Sequence, residues 1–304
     1  MNYNSGIIKK RILVTGTNGM LGSNTAKFYS ERANIELLTT AKTKNEFANK
    51  FDEIICDITN REQVKKIVLD FCPDYIINAA AFTNVDLCET EKETAWKTNV
   101  KAVEYLAEAC RVIDAHLIHI SSDYIYDGKN GPYSENDTPN PLGYYGRTKL
   151  ASENVLKISG IKYTILRTNV LYGISESGKA DFVYWVIKNL SENKEINIVK
   201  DQFNNPTFVY DLISAINKVI EFNKSGIFNI GGKEFLSRFD FTKKISVYFN
   251  LNKNLIKPIL TAELNQKALR PLKSGLITLK AETQFGYKPH SIIESFEKIN
   301  RDLI

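Results

Sequence analysis

Short apolar runs alternate with longer amphipathic stretches over the first half of the chain. Six runs are rich in β-branched residues, and several are apolar throughout: RILVTG, IELLTT, EIICDI, YIINAAA, HLIHISS and YTILRTN. Continuous apolar runs of this length are typical of strands buried on both faces of a parallel sheet. Segments between them, such as TEKETAWKTNVKAVEYLAEACRVID, have helical character. The alternation predicts an α/β fold with a doubly wound, Rossmann-type parallel sheet.

The rhythm changes after Gly173. ISESGKA is typical of a loop, DFVYWVIKNLSENK of a helix, and LRPLKSG of a charged loop stiffened by proline. We therefore predict a dinucleotide-binding domain over residues 1–172. A smaller α/β domain, mainly for substrate, is predicted over 173–304, with room for some of its segments to return to the first.

Charge and composition narrow the function. The net charge is +5, and the basic residues are spread along the chain without a run of like charge, which argues against nucleic-acid and membrane partners. The first apolar run is too short for a signal peptide or a membrane span, so we expect a cytoplasmic protein. The four cysteines and three histidines show no metal-ligand spacing, which predicts reduced thiols and no metal site.

A glycine-rich turn follows the first predicted strand. In TGTNGMLG the glycines are Gly16, Gly19 and Gly22, a GxxGxxG pattern. The first glycine suits a tight turn, the second lets the backbone approach a pyrophosphate, and the third lets the helix pack close to the sheet. This pattern at the start of an α/β domain predicts a dinucleotide site.

The end of the second predicted strand indicates which dinucleotide binds. An acid there would accept the ribose 2′-hydroxyl of NAD, but no acid lies between Thr39 and Lys44. Lys42 and Lys44 supply positive charge instead, which favours NADPH over NADH. The alternative is that both lysines are solvated loop residues.

The stretch GYYGRTKL contains a candidate proton donor. Tyr145 and Lys149 are four residues apart and share one face of a helix, whereas Tyr144 and Lys149 do not. A nearby ammonium favours the phenolate, so we expect a lowered pKa for Tyr145 and a role as an acid toward a carbonyl oxygen. SSD follows the fifth strand, and only one of Ser121 and Ser122 can face that site.

Taken together, these residues resemble the extended short-chain dehydrogenase/reductases, and within them the dTDP-4-dehydrorhamnose reductase family. The resemblance covers nearly the whole chain. It rests on TGTNGMLG, PDYIINAAAFTNVD, SSDYIYDG, PYSENDTPNPLGYYGRTKLASE, DQFNNPTFVYD and RPLKSGL. It implies reduction of a 4-keto sugar in the last step of dTDP-L-rhamnose synthesis, for a cell-surface polysaccharide.

The resemblance also implies roles for individual residues. It assigns the catalytic hydroxyl to Ser122, proton donation to Tyr145, and the nicotinamide ribose to Lys149. Sugar contacts fall on Asp123 as well as Tyr145. The implied cofactor contacts, besides those of Tyr145 and Lys149, are Gly19, Met20, Leu21, Asp57, Ile58, Ala81, Phe82, Thr83 and Asn99. For Asn99 a purely structural role in helix packing is equally open.

Two departures from the family pattern bear on ligands. Val170 stands where the family usually has a tryptophan in the substrate site, which leaves the identity of the sugar or base open. Some relatives bind magnesium at a dimer interface through glutamates, but the first of those positions is Asn24, so no such metal is expected. A homodimer remains one option.

The second domain must supply charge for a nucleotide sugar. DQFNNPTFVYD, with Gln202, and LRPLKSG, with Arg270, are the candidate loops. A planar guanidinium suits phosphate oxygens, so Arg270 is predicted to bind the diphosphate, unless it forms a salt bridge with a nearby acid. Rival functions are an epimerase, a 4-ketoreductase for another nucleotide sugar, and a regulatory subunit that binds cofactor without catalysis.

Overall fold

A computed structural model describes residues 9–44, 51–174 and 181–303. Most of the predicted N-terminal tail and of the predicted loop 174–180 lies outside these residues. All six predicted strands are present. The strands are β1 (Lys10–Thr15), β2 (Ile35–Ala41), β3 (Glu53–Ile55), β4 (Tyr75–Asn78), β5 (His116–Ser122), β6 (Tyr163–Thr168), β7 (Leu171–Tyr172), β8 (Ile196–Val199), β9 (Phe203–Asn204), β10 (Thr207–Phe208), β11 (Gly226–Ile230), β12 (Leu236–Ser237) and β13 (Ile256–Ile259).

The central sheet confirms the predicted α/β class. Within the described residues it has seven parallel strands in the order β11-β6-β5-β4-β1-β2-β3. Its first six strands follow the Rossmann order, in which the chain starts near the middle and winds outward in both directions. Strand β4 is buried along its whole length, as expected for an interior strand with helices on both faces.

Helices cover both faces of the sheet. They are α1 (Met20–Ser30), α2 (Arg61–Phe71), α3 (Val85–Thr90), α4 (Lys92–Trp96), α5 (Ala102–Ile113), α6 (Tyr144–Ile158), α7 (Phe182–Ser191), α8 (Val209–Glu221), α9 (Arg238–Tyr248), α10 (Leu279–Phe285) and α11 (Ile292–Leu303). A π-helical turn, Lys97–Lys101, joins α4 to α5. None of the helices within the described ranges is long and apolar enough to cross a membrane.

The second half of the chain is divided between two places. Strand β11 pairs with β6 and completes the central sheet. Three small two-stranded sheets, β8 with β13, β7 with β10 and β9 with β12, lie outside it. The division at residue 172 therefore stays a prediction, since the chain crosses back to the first sheet after it.

Candidate active site

Parallel strands end at the same edge of a sheet, and the predicted site residues follow those ends. The glycine turn follows β1, Lys42 follows β2, Asp57 follows β3, and Ala81 follows β4. Ser122 closes β5, and Val170 comes just after β6. The fold therefore gathers at its carboxyl edge residues that are spread over more than 150 positions of the sequence, where α/β proteins bind ligands.

The glycine turn has the geometry of an anion site. Gly16 has φ +75°, and a Cβ there would lie 2.6 Å from the Cα of Ala80, so a side chain cannot be accommodated. A Cβ on Gly22 would collide with the carbonyl oxygen of Gly16. Gly19 is the N-cap of α1 and offers no side-chain cap, and the first turn carries no acid. The N–H groups of Met20 and Leu21 lie at this helix N-terminus, where an anion is favoured, and their contact with a pyrophosphate stays a prediction.

Two of the residues expected at the cofactor, Lys42 and Asp57, contact each other. The ammonium of Lys42 lies 3.0 Å from the carboxylate of Asp57, and the Lys42 side chain is 74% exposed. Burial acts to raise the pKa of Asp57, but hydrogen bonds from Thr59 and Lys42 outweigh it and hold the pKa below its usual value. Asn18 donates to the backbone oxygen of Thr43 over 2.9 Å, which fixes this loop beside the glycine turn. Ile58, next in sequence, packs in the core.

Asn99 connects the loop after β4 to helix α6. Its Oδ1 accepts from the Phe82 backbone N–H over 2.8 Å, and its Nδ2 donates to the Phe82 oxygen over 3.1 Å. The same Nδ2 lies 3.0 Å from the hydroxyl of Thr148 on α6. Asn99 thus has the structural role weighed from the sequence, and its contact with a cofactor stays a prediction, as do those of Ala81 and Thr83.

Tyr144 and Tyr145 point to different surroundings. Helix α6 begins at Tyr144, whose backbone N–H donates to Glu89 and whose ring packs under the ammonium of Lys92. The Tyr145 hydroxyl is hydrogen-bonded to Ser122 instead. The helix therefore has the register assumed in the sequence analysis, in which Tyr145 and Lys149 are on one face.

Lys149 lies one turn after Tyr145 and is 2% exposed. Its ammonium donates to the carbonyl oxygen of Ile120 over 2.6 Å, at the end of β5. Burial lowers the pKa of Lys149 to about 8, although the carboxylate of Glu153 acts in the opposite direction. A buried ammonium whose partner is a neutral carbonyl keeps its full charge for a ligand, whereas one paired with a carboxylate is already neutralised.

One electrostatic expectation differs in the structure. The sequence predicts a lowered pKa for Tyr145, but burial raises it well above its usual value, with the nearby Asp123 adding to the rise. The physical reason is that removal of the phenol from water disfavours its anion more than the hydrogen bond from Ser122 favours it. In this state Tyr145 carries its proton, as a donor must.

The two serines of the SSD motif belong to different polar groups. Ser121 donates to Glu153 over 2.6 Å, away from Tyr145. Ser122 lies between Tyr145 and Asp123, and its hydroxyl is 3.0 Å from the Asp123 carboxylate. Of the two, Ser122 is therefore the hydroxyl that shares the site with Tyr145.

Asp123 is a buried acid at the centre of the site. It is 2% exposed, and burial raises its pKa to about 7 despite hydrogen bonds from Ser274 and Ser122. The Ser274 hydroxyl lies 2.5 Å from the carboxylate and comes from the RPLKSG loop of the second half. Sequence reasoning quoted this loop but missed Ser274, since its partner is 151 positions away.

The predicted substrate residues of the second half have other partners within the protein. Arg270 forms a bidentate pair with Asp86, at 2.9 and 2.7 Å, and also donates to the oxygen of Ala268. This is the salt bridge weighed as the alternative from the sequence, so a role for Arg270 at a diphosphate stays a prediction. Gln202 is buried and donates to Thr261 over 3.1 Å.

Val170 has an unusual backbone conformation. Its φ of +30° is rare for a β-branched residue, and its carbonyl accepts from Thr207 over 3.2 Å. Strain of this kind costs about 1–3 kcal/mol and is concentrated at functional sites. Its contact with substrate stays a prediction.

Among the described residues no group of three His, Cys, Asp or Glu side chains is placed to hold a metal ion. Asn24, at the position that the family resemblance connects with magnesium, is buried. Its amide donates to the backbone oxygens of Met20 and Ile174.

The strand order, the glycine turn and the convergence of Ser122, Tyr145 and Lys149 define an extended short-chain dehydrogenase/reductase. A family model described as the RmlD substrate binding domain matches residues 10–303. The chain belongs to this dTDP-4-dehydrorhamnose reductase family. Membership confirms the expected class of enzyme, an oxidoreductase.

Three relatives show how close the similarity is. The dTDP-4-dehydrorhamnose reductase of Aggregatibacter actinomycetemcomitans is 36% identical over 92% of this chain and 94% of its own. The crystal structure of the Bacillus anthracis dTDP-4-dehydrorhamnose reductase, in complex with NADP, has a TM-score of 0.88. It is 32% identical and covers 97% of this chain and 99% of that one. The methionine adenosyltransferase 2 subunit beta of Mus musculus is 31% identical, over 91% of this chain and 83% of its own.

Proposed function

We propose that this protein reduces the C4 keto group of a nucleotide-activated sugar with NADPH, and that its substrate is dTDP-4-dehydro-L-rhamnose. The product would be dTDP-L-rhamnose, made in the cytoplasm for a cell-surface polysaccharide. The observation that carries the proposal is the hydrogen-bonded pair of Ser122 and Tyr145, with buried Lys149 one turn away. NADP in the Bacillus anthracis relative supports the choice of cofactor.

Each residue has a defined task in this proposal. When bound, NADPH supplies the hydride that reduces C4 of the sugar. Tyr145 gives its proton to the C4 oxygen, and Ser122 donates a hydrogen bond to the same oxygen. Lys149 binds the nicotinamide ribose and favours the phenolate that Tyr145 becomes after the transfer. Proton transfer by a positioned group contributes about 10²–10⁴ in rate.

The mouse relative is named as a subunit of another enzyme and not as a reductase, so it supports the second candidate, a subunit that binds cofactor without catalysis. Two features of this chain favour catalysis over that role. The Tyr145 hydroxyl is hydrogen-bonded to Ser122, and it keeps its proton because burial raises its pKa, an arrangement that dinucleotide binding alone does not require.

Product analysis tests the proposal. The purified protein is incubated with NADPH and dTDP-4-dehydro-L-rhamnose, and in parallel with UDP- and GDP-linked 4-keto sugars. We expect one NADPH consumed for each dTDP-L-rhamnose formed. Interconversion of sugars without net NADPH consumption would indicate an epimerase. Binding of NADPH with no turnover of any sugar would contradict the proposal in favour of the regulatory subunit.

A further inference from the structure

Arg238 is a cation of the second half that the sequence analysis did not single out. It is the first residue of α9, directly after the N-cap Ser237. Its backbone N–H donates to the oxygen of Gln202 over 2.9 Å. Arg238 therefore lies beside the loop expected to contact substrate.

The guanidinium of Arg238 lies over Phe182, and its charge acts on Tyr124. It stacks on the ring of Phe182, with its central carbon 4.3 Å from the ring centroid. It also acts electrostatically on the Tyr124 hydroxyl, together with Arg270. The Tyr124 ring packs edge-on against Tyr145, with centroids 5.8 Å apart. Arg238 thus borders the cleft where the sugar would meet Tyr145.

The two arginines of this cleft differ in what balances their charge. The Arg270 guanidinium is bound bidentately by Asp86. No carboxylate lies within 4.0 Å of the Arg238 guanidinium in the part of the chain that the structure describes. Burial lowers the pKa of Arg238, and the positive charge of Arg270 lowers it further. The charge of Arg270 is therefore neutralised by a carboxylate, whereas that of Arg238 has no such partner among the described residues.

The position of Arg238 on its helix increases the imbalance. The N-terminus of a helix carries a partial positive charge, so a cation in the first turn is unfavourable by about 0.3–1 kcal/mol. Arg238 adds its charge at that place, and the positive charge of Arg270 also acts on it. An anion bound between α9 and Tyr124 would relieve both repulsions at once.

We propose that Arg238 binds the diphosphate of the nucleotide sugar. The ring of Phe182 restricts the orientation of its guanidinium, and Arg270 remains paired with Asp86. This inference rests on the proposed function and names the group that binds the charged part of that substrate. The planar fork of a guanidinium matches two phosphate oxygens, and stacking on a ring restricts it to few orientations before the ligand arrives. A guanidinium would also bind phosphate groups of compounds other than a nucleotide sugar. The test therefore uses nucleoside diphosphates, which carry the diphosphate and the base of the proposed substrate.

Calorimetry separates this role from catalysis. The probes are dTDP, UDP, GDP and NADPH, titrated into the wild type, Arg238→Met, Arg238→Lys and the control Arg61→Met. Arg61 is a matched control because its guanidinium pairs with Glu108 on the outer surface. We expect Arg238→Met to weaken dTDP binding tenfold or more while NADPH binding changes less than twofold. Arg238→Lys should recover part of the loss, since it restores the charge without the fork.

The possible failures are distinguishable. If wild type and Arg238→Met bind dTDP equally well, with NADPH binding and thermal unfolding unchanged, the assignment of Arg238 is wrong and the proposed function stands. If no nucleoside diphosphate binds the wild type, both the assignment and the proposed function are overturned. A loss of dTDP and NADPH binding together in Arg238→Met would indicate a structural role and would also overturn the assignment.

Discussion

Ser121 and Ser122 are neighbours in sequence, yet they belong to two buried polar groups of opposite character. Ser121 joins an interior group in which Arg167 binds Glu153 through two hydrogen bonds, at 2.9 and 2.7 Å, with side chains 2% and 0% exposed. Ser122 joins the group in the cleft, in which Asp123 and Lys149 are equally buried. The partners there are hydroxyl groups and a carbonyl oxygen, not opposite charges.

The interior charges neutralise each other, whereas the buried charges of the cleft have neutral hydrogen-bond partners. The interior pair is saturated, so removal of one partner would leave an uncompensated buried charge. In the cleft, burial brings the pKa of Asp123 to about 7 and that of Lys149 to about 8, close to neutral pH. Displaced pKa values of this kind are concentrated at functional sites.

The largest expected effect concerns the proton donor of the cleft. Tyr145→Phe removes only the hydroxyl and should lower kcat by about 10²–10⁴, with NADPH binding retained. Tyr144→Phe is the matched control, because that ring packs against Lys92 and should change kcat little. Steady-state kinetics with a fluorescence titration of NADPH measures both. A larger loss of kcat in Tyr144→Phe would mean that the other tyrosine is the acid.

The interior pair should matter to stability instead. Arg167→Met leaves Glu153 buried without its partner and should reduce the free energy of unfolding by about 3–5 kcal/mol. Urea denaturation measures this, with Arg61→Met as the control, since an exposed pair contributes about 0–1 kcal/mol. The folded fraction of Arg167→Met should keep the wild-type KM for NADPH. Equal losses of stability in the two variants would mean that the buried pair contributes no more to folding than an exposed pair.

Asp123 should make stability depend on pH. Its folded pKa of about 7 lies above the usual value of 3.8, so between these values the folded state holds a proton that the unfolded state has released. Stability therefore falls as pH rises through this window, by up to about 4 kcal/mol at about 1.4 kcal/mol per pKa unit. Denaturation of wild type and Asp123→Asn from pH 4.5 to 8 should show the decline only in the wild type. Parallel curves for the two proteins would place the pKa of Asp123 near its ordinary value.

Ser121 and Ser122 allow the interior polar group and the cleft to be compared by removing one hydroxyl from each. Ser121→Ala removes one hydrogen bond to the buried carboxylate of Glu153, which keeps those from Arg167, and should cost about 1.5–3 kcal/mol of stability, with kcat retained. Ser122→Ala should lower kcat at least tenfold with less effect on unfolding. Kinetics and denaturation are measured on both variants. An exchanged pattern would assign the catalytic hydroxyl to Ser121.

The smallest effect is expected at the exposed edge of the site. Lys42→Ala should reduce the preference for NADPH over NADH by roughly fivefold, since an exposed charged contact contributes about 1 kcal/mol. The readout is the ratio of kcat/KM for the two cofactors. Lys194→Ala is the control, because that lysine pairs with Glu192 on the surface. If both variants keep the wild-type ratio, Lys42 is a solvated loop residue that does not contact the cofactor.

Sequence reasoning succeeded where the signal is local. The six strands, the turn at Gly16 and the shared face of Tyr145 and Lys149 each depend on residues within one element. It could not locate partners joined by the fold, such as Arg270 with Asp86, which are 184 positions apart. Burial likewise reversed the expected pKa shift of Tyr145, because desolvation depends on the packed surroundings and not on spacing along a helix.

The amide of Asn99 has a consequence for how this protein can change over generations. One side chain ties Phe82, in the loop expected at the cofactor, to Thr148, which lies between Tyr145 and Lys149 on their helix. A drift in the loop would therefore move the proton donor, and a drift in the helix would move the loop. Residue 82 is held by its backbone and is free to change, whereas changes at 99 and 148 should be inherited together. Laboratory evolution toward other sugars should therefore find more freedom in the second half of the chain.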